Sequence, residues 1–195
     1  DIEMSFGNEK ILFQMIEEMM ATIFKEVLNE KIPTPFPVLK YQDAIDRFGT
    51  DKPDMRIDME IVDLAEIVQG TKFKVFAQVL ESGGQIRALN IKNSADALSR
   101  KALDDLTEIA KTYGAKGMAW IKVQENELQS PIIKFFEQEM LDQMLKKLGS
   151  EPGDTVVFIA DTPKIVADAL AHLRLAIAKL LNRVDATRNT FVWVT

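Results

Sequence analysis

The run Ala110-Lys111-Thr112-Tyr113-Gly114-Ala115-Lys116-Gly117-Met118-Ala119-Trp120-Ile121-Lys122-Val123 holds three events in fourteen positions. A helix ends, a Gly-Ala-Lys-Gly turn follows, and an apolar strand begins. One glycine suffices to close a helix through a left-handed residue. Two glycines around a lysine, then small Ala119 beside bulky Trp120, form a narrower pattern. It places a helix ahead of a strand in a mixed α and β domain.

Working outward, apolar residues at three- and four-residue steps from Ile11 to Val27 predict a long helix over 8–29, with Asn8 as its N-cap. Its methionine-rich face reads as core. Pro33, Pro35 and Pro37 forbid helix and give an extended link. A short helix over 41–48 ends at Gly49, and Asp51-Lys52-Pro53-Asp54 is a turn. A helix is expected over 63–68. Alternation of Phe73, Val75, Ala77 and Val79 suggests a strand over 72–80, joined through Gly83-Gly84 to a partner over 86–91. Ser99 caps a helix running to 111, and 118–123 is a third strand. Ser130-Pro131 opens a helix reaching 148. The run 155–160 is a buried strand, Asp161 or Thr162 caps a helix over 163–181, and 191–194 is a closing strand. The expected class is α+β, a two-layer antiparallel sheet with helices on one face.

Composition bounds the chemistry. The 195 residues carry a formal charge of −6, which argues against a freestanding nucleic-acid binder, DNA included. Any RNA contact must be local. There is no cysteine and one histidine, His172, so neither a disulfide frame nor a thiolate or His-rich metal site is expected. No apolar run approaches membrane-spanning length, and a cytoplasmic setting without membrane partners is the expectation.

Together with the Ala110 to Val123 run, several strings, in order, resemble bacterial-type aspartyl-tRNA synthetases. They are Asp1-Ile2-Glu3-Met4-Ser5-Phe6, Phe48-Gly49-Thr50-Asp51-Lys52-Pro53-Asp54-Met55-Arg56, Ser99-Arg100-Lys101, Ser130-Pro131-Ile132-Ile133-Lys134-Phe135, Gly153-Asp154, Phe158-Ile159-Ala160-Asp161, Leu173-Arg174 and Phe191-Val192-Trp193-Val194-Thr195. The resemblance implies an internal fragment of such a ligase. Residues 1–70 would be a class II catalytic-domain segment after motif 2. Residues 71–149 would be the GAD insertion domain, also found in a tRNA-dependent amidotransferase subunit, and 150–195 the return into the catalytic domain. The Asp1 to Phe6 string and the Phe191 to Thr195 ending disfavour the amidotransferase itself.

The resemblance also implies a homodimeric parent that binds ATP and Mg2+ and joins aspartate to tRNA. The ATP-clamping arginines of motifs 2 and 3 would lie outside this chain, so no catalytic residue, metal site or bound cofactor is expected in it, and the fragment alone should be inactive. Asp1 corresponds to the acid near the ammonium group of substrate aspartate, where a carboxylate would pair with the amine. Arg100 and Lys101 sit in a first helical turn, where the helix dipole disfavours cations. With Lys116 they are candidate tRNA contacts; a solvated basic face is the simpler explanation of these residues, and a domain acting as a spacer is a third. Asp51, Lys52, Asp54 and Arg56 read as a self-paired turn, Trp120 as core, and His172 as surface or packing.

Overall fold

The computed structural model describes residues 2–195. Helix α1, Glu9–Leu28, begins where the Asn8 carboxamide oxygen accepts from the Ile11 amide. Its one buried residue is Glu17, not a methionine: Glu17 accepts hydrogen bonds from the Phe36 backbone N–H at 3.0 Å and the Trp193 indole N–H at 2.8 Å. Met15 and Met20 are half-buried and Met19 is exposed, so the expected methionine core is instead an aromatic seam. Phe13 stacks on Trp193 and Phe36 on Phe191, with ring centroids 4.0 and 4.7 Å apart. Strand β1, Val38–Leu39, leads into α2, Tyr41–Phe48.

A five-stranded antiparallel sheet dominates the rest. Its strands are β2, Ile61–Asp63; β3, Gln85–Ile91; β4, Ala119–Val123; β5, Leu128–Gln129; and β6, Thr155–Asp161. The order across the sheet is β2-β3-β6-β4-β5. Strand β6 pairs with β3 on one side and β4 on the other, so it is the sheet's centre. The expected domain boundary at Gly149 therefore falls inside this unit, just before its central strand. A closing strand β7, Trp193–Val194, pairs in parallel with β1.

Helices cover both faces, which corrects the expected two layers to three within the α+β antiparallel class. One face of the sheet, with Leu89, Ile91, Val157 and Ile159, packs against α4, Arg100–Thr112, and α6, Pro163–Leu180. The other, with Ile86, Ala88, Val156 and Phe158, packs against α3, Lys74–Glu81, and α5, Gln138–Leu148. The reason is in β6 itself. Val156, Val157, Phe158 and Ile159 are apolar at successive positions, so neither face of that strand tolerates water.

Residues 74–81 are helix where alternation suggested strand. Phe76 and Val79 are buried with half-buried Phe73 and Leu80 against the sheet, a spacing of three and four that a helix satisfies. The expected Gly83-Gly84 hairpin is thus a helix-to-strand turn. The expected helix over 63–68 is β2 followed by turns, and the segment from Ser130 forms a 3-10 turn, Ile133–Phe135, before α5.

Loops are tied to the sheet by buried charge. The Asp154 carboxylate is 1% exposed and accepts from the backbone N–H groups of Glu151 and Asn93, the Asn90 amide and the Lys92 ammonium. Burial opposes its ionisation, yet these donors together hold its pKa below the ordinary value. A depressed folded pKa contributes stability that is present above the unfolded value and lost as pH falls through the folded one. Asp154→Asn is expected to lower stability by about 1–3 kcal/mol at pH 7. Urea midpoints measured across pH should show the gap from wild type narrowing as pH drops below about 4. A gap that is constant with pH would contradict this role.

Candidate functional site

Helix α4 starts at Ser99, whose hydroxyl accepts from the Ala102 N–H at 3.2 Å. This cap fixes Arg100 in the first turn. The Arg100 Nε donates to Asp104 at 3.2 Å, and its guanidinium lies 5.6 Å from the Trp120 ring centroid. Asp104 and Trp120 offset the unfavourable dipole position that Arg100 occupies. At the other end, Gly114 adopts φ +92 to turn the chain, and Lys116 and Gly117 lead into β4. A Cβ on Gly117 would meet nothing within 4 Å, so its conformation does not require glycine.

These two ends of α4 flank one pocket of about 540 Å³. Its lining includes Phe76, Val79 and Ala160, with Ala119 and Trp120 from the start of β4. Arg100 and Lys116 both line it and both are exposed. Gln78, Ser82 and Thr107 add polar groups to an otherwise apolar wall. The pocket exists because β4 begins opposite Phe158, leaving the end of β6 without a β4 partner. Lys116 makes no salt bridge among the described residues.

The sequence candidates separate. Arg100 and Lys116 share a rim, whereas Lys101 is exposed and lies outside the pocket lining. Asp1 lies outside the described residues. The charged loop is self-paired: Arg56 donates to the Asp54 carboxylate at 2.9 and 2.7 Å, and the Lys52 N–H donates to Thr50 Oγ1. Trp120 is 9% exposed and belongs to the core. His172 stacks on Tyr113 with centroids 3.5 Å apart. Among the described residues no group of three or more carboxylates or imidazoles converges.

Two charged residues escaped sequence reading. Arg174 is 1% exposed; it donates to the backbone carbonyls of Met59, Asp54 and Ile57 and stacks over Phe48 at 4.8 Å. Burial lowers its pKa, with Asp54, Glu60 and Asp58 acting in opposition. Arg87 on β3 reaches Asp46 of α2 at 2.7 Å and Asp63 of β2 at 3.4 Å. An arginine set between Leu173 and Leu175 on a mainly apolar stretch of helix was the available signal for Arg174. For Arg87 it was a cation inside an apolar strand.

Residues 76–170 match the model of the GAD domain. Along all 195 residues the chain is 46% identical to the aspartate–tRNA(Asp/Asn) ligase of Bacillus mycoides (strain KBAB4). The chain belongs to the aspartate–tRNA ligase family. It is likewise 47% identical over 196 aligned residues to the ligase of Desulfatibacillum aliphaticivorans and 45% identical over 195 to that of Geobacillus sp. (strain WCH70). The whole chain is covered in each case, but it spans about a third of the length of these relatives, 33% of each. The matched GAD domain opens in α3 and closes inside α6, so it includes the central strand of the sheet. Its pocket draws only Phe73 and Val75 from just ahead of the matched range. No helix of the described residues is long and apolar enough to cross a membrane.

Proposed function

We propose that this chain is part of a cytoplasmic, homodimeric aspartate–tRNA ligase that uses ATP and Mg2+ to join aspartate to tRNA, and that the 195 residues alone do not catalyse the reaction. The observation that carries this reading is the 46% identity over an alignment that covers all 195 residues. By the family resemblance, the arginines that clamp ATP would lie in other parts of the ligase. By the family resemblance alone, Asp1 is the one residue assigned to substrate, as a partner for the ammonium group of aspartate. In an aspartate-dependent ATP–pyrophosphate exchange assay, the isolated chain is expected to show no turnover. Turnover by the chain alone would refute the assignment.

Within the ligase, the GAD domain serves as a tRNA contact through Arg100 and Lys116. The shared rim favours this over an inert spacer, because two exposed cations from opposite ends of α4 converge on one mouth. A net charge of −6 keeps the contact local and its affinity strongly salt-dependent. Lys101 is a peripheral member of the same basic surface. Titration with tRNA at low and moderate salt should show binding that weakens with salt and on Arg100→Ala with Lys116→Ala. Binding indifferent to both would leave the domain a spacer.

A further inference from the structure

We propose that the pocket behind Arg100 and Lys116 is a nucleotide subsite: it takes one unpaired nucleotide of the bound RNA, its base inside and its phosphate at the rim. The inference rests on the reading of the rim as an RNA contact and adds to it an occupant for the cavity.

The case begins with size and lining. A pocket of about 540 Å³ is within the range of small-ligand sites and exceeds what a phosphate at the rim would fill. Its apolar surface comes from Phe73, Phe76, Val79, Met118, Ala160 and Trp120. Water gains little there, and a flat ring gains burial. The wall is not uniformly apolar. Gln78 is exposed, and its amide makes no hydrogen bond among the described residues; it offers both a donor and an acceptor. The Ser82 and Thr107 hydroxyls already donate to the Val79 and Leu103 carbonyls, which leaves their oxygens as acceptors. Apolar faces with donors and acceptors set at the edge fit a heteroaromatic base better than a saturated chain.

Charge completes the match. Lys116 is uncommitted among the described residues, and Arg100 is held by its place over Trp120 and by one exposed ion pair, with Asp104, whose side chains are 69% and 63% exposed. Exposed pairs of this kind contribute little. A phosphate at the mouth therefore exchanges one weak partner of Arg100 for a bidentate one. Asp104 is the one carboxylate lining the pocket, and it competes for Arg100 in the empty state. Recognition of RNA by splayed-out bases and flanking cations is the common mode for unpaired nucleotides.

The test is a fluorescence-anisotropy titration of the 195-residue chain with two labelled RNAs, a single-stranded oligonucleotide and a fully paired hairpin stem, and with AMP, adenosine and inorganic phosphate as competitors. The single strand is expected to bind about tenfold tighter than the stem, and AMP to compete better than adenosine or phosphate. Ala160→Phe, which fills the cavity from β6, should abolish the preference for the single strand while leaving residual salt-sensitive binding. Asp104→Asn should tighten binding by releasing Arg100. Gln78→Ala, on the exposed side of α3, gives a second reading that does not disturb the core and should weaken AMP competition severalfold. Competition by AMP without a preference for single-stranded RNA would assign the pocket to a free nucleotide and overturn its role on RNA. If Arg100→Ala and Lys116→Ala weaken RNA binding but Ala160→Phe and Gln78→Ala leave the strand preference intact, the pocket proposal fails and the rim contact stands. If no variant changes RNA binding, both fail.

Discussion

Arg174→Ala is expected to lower stability by about 3–5 kcal/mol, the range for removing one member of a buried charged network. For a chain of this size that corresponds to a melting temperature lower by about 6–20 °C. The physical reason is local. Arg174 projects from α6 and donates to the carbonyls of Met59, Asp54 and Ile57, closing a loop more than a hundred residues away in sequence. Truncation leaves three acceptors without that donor and a void beneath Phe48. Arg174→Lys should recover less than half of the loss, because a single ammonium lacks the planar fork that reaches several acceptors. Differential scanning calorimetry of the two variants tests this. A melting temperature within 2–3 °C of wild type for Arg174→Ala would contradict it.

Gly49→Ala should be nearly as damaging, at about 2–5 kcal/mol from backbone strain and overpacking together. Gly49 ends α2 at φ +74, and an added Cβ would sit 2.3 Å from the Ala167 carbonyl oxygen of α6 and 3.1 Å from the Ala171 Cβ. Neither neighbour can yield without moving α6. Gly70→Ala is the matched control: it has the same φ of +74, yet a Cβ there meets nothing within 4 Å. It should cost only the left-handed penalty, about 1–2 kcal/mol. Urea denaturation of both variants separates strain from contact. Equal losses would show that the approach of α2 to α6 does not matter.

How much of this was legible in the sequence depended on how local the cause was. Asn8, Ser99 and Pro163 marked helix starts because capping and first-turn preferences act within a few residues. The run Val156–Ile159 marked a strand buried on two sides, although its consequence, a second helical layer, was not drawn. Residues 74–81 were misread because Phe73, Val75, Ala77 and Val79 alternate while Phe73, Phe76 and Leu80 also mark one helical face; packing against the sheet decided between them. Glu17 and Arg174 were invisible as core residues because their partners lie 176 and 120 positions away at most. The pocket was half legible. Arg100 and Lys116 were identified as basic candidates, but their place on one pocket depends on α3, the start of β4 and the end of β6 converging, which no spacing encodes.

The proposed contact of the GAD domain with tRNA runs through Arg100 and Lys116. Its most direct test is steady-state aminoacylation by the complete ligase carrying Arg100→Ala with Lys116→Ala. The KM for tRNA should rise about tenfold, equivalent to about 1.4 kcal/mol, with kcat and aspartate-dependent ATP–pyrophosphate exchange unchanged. A KM for tRNA equal to wild type would contradict the account.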